Sequence, residues 1–120
     1  MKNIVTESDF VETYDDFLSE STCSQLIKLV DEKNERIERD HKPNFYQRNI
    51  GNLSEYTSLY SKFSEIGMNY LSDIGYYDEL LPQKYGFEEM RIKKYDVGDS
   101  FDTHVDVSDH ESARRWLAFL

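Results

Sequence analysis

Apolar positions along this chain change period twice, and each change predicts a different element. Phe10-Val11-Glu12-Thr13-Tyr14 suits a short strand, which Asp15-Asp16 breaks before Phe17-Leu18 leads to Ser19. Ser19 is placed to cap a helix, with Glu20 favourable in its first turn. Cys23, Leu26, Ile27 and Val30 then come at i, i+3, i+4 and i+7, so an amphipathic helix with those four on its buried side is predicted. Residues 31–40 are almost wholly charged, and Pro43 and Gly51 punctuate the stretch after them. Residues 37–52 therefore read as loop with one short strand. Helical spacing returns at Leu53, Tyr56, Tyr60, Phe63, Tyr70, Leu71 and Ile74, with Gly75 at the C′ position that closes a helix. Those aromatic residues read as core packing rather than as a ligand cage. Beyond Pro82 the period moves towards two: Met90 and Ile92 alternate with Arg91, Lys93 and Tyr95, and Val105 and Val107 alternate with His104 and Asp106. The last third is expected to be β-structure, and the fold class α+β.

Composition narrows the class. At 120 residues the chain is expected to form one domain without repeats or a linker. Leu, Ile, Val and Phe supply a quarter of it, enough to build a core and to exclude wholesale disorder. A net charge of −10 repels phosphate backbones and anionic lipids, so neither nucleic acid nor a membrane surface is the expected partner. The lone cysteine, Cys23, can form neither an internal disulfide nor a thiolate cage, which points to a reducing, cytoplasmic setting. No export signal is visible, and no apolar run approaches the roughly 18 residues of a membrane span.

The sharpest chemical feature is His104-Val105-Asp106. On a strand, residues i and i+2 share a face, so an imidazole and a carboxylate would point together, as two ligands of one metal do. That donor pair, with positions left open for water or substrate, belongs to non-haem Fe(II) sites of the two-His, one-carboxylate kind. The tripeptide alone is weak: with three His and twelve Asp in the chain, a chance match arises roughly a quarter of the time. A surface His and Asp on an edge strand is the competing reading. Asp96, Asp99, Asp102, Asp106 and Asp109 cluster nearby but lack the EF-hand order, and no nucleophile motif of the G-x-S-x-G kind appears.

The surroundings add to the tripeptide. Tyr95, Gly98, Phe101, His104 and Asp106 form the run Y-x-x-G-x-x-F-x-x-H-x-D, and eight residues later Arg114-Arg115-Trp116-Leu117-Ala118-Phe119-Leu120 reads as the start of another strand. This arrangement resembles the 2-oxoglutarate- and Fe(II)-dependent dioxygenases, in particular the prolyl 4-hydroxylase-like branch. Upstream, Asp16-Phe17-Leu18-Ser19-Glu20-Ser21-Thr22-Cys23-Ser24-Gln25-Leu26-Ile27 is similar to the segment that opens that domain. The likeness spans most of residues 10–120, and its most specific part is 95–120.

The resemblance implies a double-stranded β-helix, or jelly-roll, with helices packed on its first strands. Residues 1–83 would be the mainly helical part and 84–120 the first jelly-roll strands. It implies Fe(II), 2-oxoglutarate and O₂ as cofactors, ascorbate as a further one, and hydroxylation of a prolyl or other C–H group in a peptide or small molecule. His104 and Asp106 would be the proximal iron ligands. Tyr95 would lie near the cosubstrate, or else be a core tyrosine, and Arg115 would serve structure. The family's distal His, and the later basic residue that pairs with the far carboxylate of 2-oxoglutarate, have no counterpart here, so the domain is expected to be incomplete at its C-terminus and inactive alone. The alternative is a non-enzymatic acidic interaction domain, a partial barrel that binds a protein or a second copy of itself through an unfinished sheet edge.

Overall fold

Ser19 starts the first helix as its sequence position predicts. Its backbone is extended (φ −67°, ψ 154°) and its hydroxyl accepts the Thr22 N–H at 3.1 Å, so one otherwise unpaired amide is satisfied. In the computed structural model, which describes residues 2–4, 10–40, 42–75, 79, 81–82 and 84–120, this helix is α1 (Glu20–Glu32). At its other end the Asn34 side-chain amide donates to the Val30 carbonyl at 2.7 Å, which stops the helix without glycine.

The buried stripe of α1 differs from the predicted one. Leu26 and Val30 are buried and Leu29 partly so, whereas Cys23 and Ile27 are exposed. Successive residues are about 100° apart around a helix, so exchanging Ile27 for Leu29 rotates the contact face by roughly half that step. Cys23 and Ile27 thereby lie on the rim of the stripe.

The stretch expected to be loop with one short strand holds the seven-residue central strand of the sheet. β3 (Glu35–Glu38) and β4 (Pro43–Asn49) pair antiparallel, with Ile37 opposite Phe45 and Arg36 opposite Tyr46. Charged residues fill β3 because it is an edge strand, where charge is tolerated and discourages further pairing; the Arg36 guanidinium also lies 4.7 Å from the centre of the Tyr46 ring. On the other side of β4 runs β5 (Arg91–Lys94), with Arg48 opposite Ile92, and β6 (Ser100–Phe101) pairs with the start of β4 beyond the end of β5. All pairings are antiparallel and the sheet is open. A separate hairpin joins β1 (Lys2–Ile4) to β2 (Glu12–Tyr14), the short strand predicted near residue 10. Among the described residues, both long helices and four of the strands fall before residue 83.

The second helix is α2 (Ser58–Asp73), preceded by a 3-10 turn at Ser54–Tyr56. Gly75 comes after it at φ +74°, a left-handed conformation that glycine adopts without steric cost. Leu26 of α1, Ile50, Tyr56 and Leu59 form the main core, and Leu29, Leu53, Phe63, Met90 and Ile92 close around it. Among the described residues no helix is long and apolar enough to cross a membrane.

Alternation predicts too much β-structure at the end of the chain. Residues 104–107 lie outside the strands, and Val105 and Val107 are exposed. Residues 114–120 form no ladder either: Arg114 ends a 3-10 turn (Ser112–Arg114), and the segment after it lies on α2, where Phe119 meets Phe63 with ring centres 5.1 Å apart. Gly67 makes room for it, since a β-carbon there would sit 3.2 Å from the Phe119 ring. Hydrophobic contact with a helix, rather than strand pairing, accounts for the apolar pattern of this segment.

The two faces of the sheet have different roles. Tyr46, Arg48, Ile92 and Lys94 share the face against α1: Arg48 donates to the Leu29 carbonyl at 2.8 Å, and Lys94 pairs with Asp31 at 2.7 Å. Phe45, Lys93 and Tyr95 occupy the opposite face, because side chains alternate along each strand.

Candidate functional site

The chain leaves β5 through a tight turn. Asp99 N–H donates to the Asp96 carbonyl at 2.9 Å, and Gly98 holds φ +91°. The Asp99 carboxylate accepts the Asp96 amide at 2.9 Å and both terminal nitrogens of Arg36 at 2.8 Å. The Arg36 hydrogen bonds, then that amide, hold the Asp99 carboxyl below its ordinary pKa. This two-pronged pair ties the turn to β3 and aims β6 back along β4.

Phe101, on β6, lays its ring over buried Phe45, with centres 5.8 Å apart and planes within 20°. His104 stacks on Phe101 at 3.9 Å and 17°. Tyr95 meets Phe45 in a tilted contact with ring centres 5.3 Å apart. Four rings therefore make one platform on the sheet face turned away from α1, and the His104 imidazole is its outer member.

On that platform His104 and Asp106 converge. The His104 Nε2 lies 3.3 Å from Asp106 Oδ1, and its Nδ1 lies 2.8 Å from the Asp102 carbonyl oxygen. A carbonyl only accepts, so Nδ1 carries a hydrogen and, in the neutral ring, Nε2 presents its lone pair to the carboxylate. The contact is completed by a hydrogen on Nε2 or by a metal ion between the two atoms. Ligand bonds of about 2.1 Å at a right angle place two donor atoms about 3 Å apart, close to the separation found. A backbone carbonyl fixing the far ring nitrogen is also the usual second partner of a metal-binding imidazole.

The backbone of the pair is held from outside. Arg115 Nη1 donates to the Asp106 carbonyl at 2.7 Å, while its Nε and Nη2 grip the Glu88 carboxylate at 2.6 and 3.0 Å. Those hydrogen bonds hold the Glu88 carboxyl below its ordinary pKa. Beyond Asp106, the Ser112 hydroxyl accepts the Ser108 and Asp109 amides at 2.9 and 3.0 Å, and the Asp109 carboxylate accepts the Ser112 amide at 2.8 Å. The clustered aspartates are thus engaged separately, Asp99 by Arg36 and Asp109 by Ser112. Among the described residues no group of three His, Cys, Asp or Glu is placed to hold a metal.

The sequence-derived candidates are therefore disposed unequally. His104 and Asp106 meet, through a turn rather than the strand that suggested them. Tyr95 shares their platform but reaches it only through Phe45, and 46% of it is exposed. Arg115, expected at the start of a further strand, lies outside the strands and bonds Glu88 and the Asp106 carbonyl. Sequence reasoning missed Phe45, hidden in a presumed loop, and Lys93, whose alternation with Ile92 already put it on the face of Tyr95. Compared with protein-family models, with curated proteins and with solved structures, the chain returns no match.

Proposed function

We propose that this chain carries the first part of a 2-oxoglutarate- and Fe(II)-dependent dioxygenase domain of the prolyl 4-hydroxylase-like kind, acting in a reducing, cytoplasmic compartment. The observation that carries this reading is the convergence of His104 Nε2 and Asp106 Oδ1 at 3.3 Å, with Nδ1 tied to a backbone carbonyl. The open antiparallel sheet would then be the start of a double-stranded β-helix, with α1 on its outer face and the platform inside. In support, the pair lies on the face that α1 leaves clear.

His104 and Asp106 would hold the metal, and Tyr95 would contact the cosubstrate. When bound, Fe(II) and 2-oxoglutarate supply oxidation of a C–H bond by O₂: one oxygen atom enters the new hydroxyl, and the other enters succinate as CO₂ leaves. The protein's part is to fix the imidazole tautomer, through Asp102, and the Asp106 backbone, through Arg115. With two of the family's three protein ligands among these 120 residues, the chain alone would bind metal weakly and turn nothing over.

Titration of the purified chain with Mn(II), monitored by calorimetry or electron paramagnetic resonance, tests the reading. One site is expected, weakened about tenfold or more in His104→Ala and in Asp106→Ala. Equal binding in all three proteins would overturn it. It would favour the non-enzymatic interaction domain, for which the exposed outer edges of β3 and β5 and the fully exposed Val97 speak.

A further inference from the structure

Among the described residues a cavity of about 520 Å³ opens between β2, α2 and the segment at 116–120. It shares no residue with the ring platform that carries His104. Its walls are largely aromatic. Phe63 meets Phe17 with ring centres 5.2 Å apart and Phe119 at 5.1 Å, and Trp116, the one tryptophan of the chain, also lines the space. A partly open apolar space of that size is what a small organic molecule fills.

The polar groups on the wall decide the charge of such a molecule. Glu12 is the one charged side chain among the lining residues. The Tyr14 hydroxyl donates to Glu12 Oε2 at 2.7 Å, and the Tyr70 hydroxyl donates to the Phe10 carbonyl at 2.6 Å. Burial first, and then the bond to Glu12, raise the Tyr14 pKa, and burial raises that of Tyr70, so both hydroxyls keep their protons. With those protons engaged, the two hydroxyls and the carboxylate offer an entering group lone pairs only. The indole N–H of Trp116 is the one further side-chain donor on the wall. Lys62 Nζ lies 5.7 Å from the centre of the Phe17 ring but is not a lining residue. An ammonium therefore meets acceptors and ring faces here, whereas a carboxylate meets a like charge.

We propose that this cavity binds a small organic cation, its ammonium on the Glu12 carboxylate and its apolar body against the Phe63, Trp116 and Phe119 rings. This site goes beyond the dioxygenase reading and does not rest on it.

Octylammonium, octanol and octanoate share one apolar chain and differ in charge, and Trp116 fluorescence of the full, metal-free chain reports their binding at the wall itself. Octylammonium should saturate the signal and bind about tenfold more tightly than octanol, the low end for a charge-assisted hydrogen bond because Glu12 is only half-buried. Octanoate should be the weakest of the three. Glu12→Gln should bind octylammonium and octanol alike while its circular dichroism stays that of wild type. Glu55→Gln removes the same charge at an exposed site outside the cavity and should keep the wild-type preference, which separates the local carboxylate from the net charge of the chain. Equal binding of octylammonium and octanol to wild type, a preference that survives in Glu12→Gln, or no saturable change with octylammonium would each overturn the assignment.

Discussion

Phe45 joins the fold to the candidate site, so truncating it should damage both. It is 3% exposed, the opposite partner of Ile37, and in ring contact with Tyr95 and Phe101. Phe→Ala at a buried position costs about 3–5 kcal/mol, the lost burial and the cavity together. The ring contacts with Tyr95 and Phe101 are part of that cost, which places Phe45→Ala at about 4 kcal/mol. A domain of this length has a total stability of roughly 6–18 kcal/mol, so the variant loses a large share of it. With a urea slope of about 2 kcal/mol per molar, the unfolding midpoint should fall by about 2 M. Urea unfolding monitored by circular dichroism and by Trp116 fluorescence reads this directly. Val97→Ala, at a fully exposed site, is the control and should stay within about 0.5 kcal/mol of wild type. Phe45→Leu refines the test: it should keep most of the stability, at a cost of about 1.5 kcal/mol or less, yet weaken Mn(II) binding because the stack beneath His104 is gone. A Phe45→Ala midpoint within about 0.5 M of wild type would refute the claim that this ring is core.

Arg115→Gln removes the grip on Glu88 and on the Asp106 carbonyl. Metal affinity should fall about tenfold, the low end for a residue that orients ligands, with the urea midpoint lowered only slightly, by about 0.5 M at most, because the pair is exposed; unchanged affinity would remove Arg115 as a positioning residue. Acid stability offers a separate check, since Glu88, Asp99 and Asp109 all have folded pKa values below their ordinary ones. Unfolded, these groups take up protons first, so their contribution is full above about pH 5 and is lost as pH falls through the folded values. Thermal midpoints measured from pH 8 to pH 3 should be level and then drop, and the drop should be shallower in Arg115→Gln; parallel curves would contradict the Glu88 pairing.

The helices were legible in the chain because their signals are local. The Ser19 cap, the 3.6-residue period of Tyr60, Phe63, Tyr70 and Leu71, and the stop at Gly75 each depend on residues within a turn or two. The β3–β4 hairpin was not, since the charges at Glu35, Arg36 and Glu38 mask the one apolar residue, Ile37, that meets Phe45. Conversely, the alternation in residues 104–107 and the apolar residues 116–120 resemble strands locally, but strand formation needs a partner with free backbone groups, and none of the described strands pairs with them.

For the site, residue types and order alone singled out His104 and Asp106, and the tyrosine-to-aspartate run around them already contained Phe101. Their meeting depends on contacts far apart in sequence. Arg36 pins the turn at Asp99 across 63 residues, and Glu88 sets Arg115 against Asp106 across 27. Phe45, more than 50 residues away from both ligands, supplies the platform. Short-range rules for helix and strand period carry no information about such pairings, whose free energy exists only once the sheet has brought the partners together. Donor chemistry is a property of side chains and could be read from the chain, whereas its geometry is a property of the packed sheet and was settled only there.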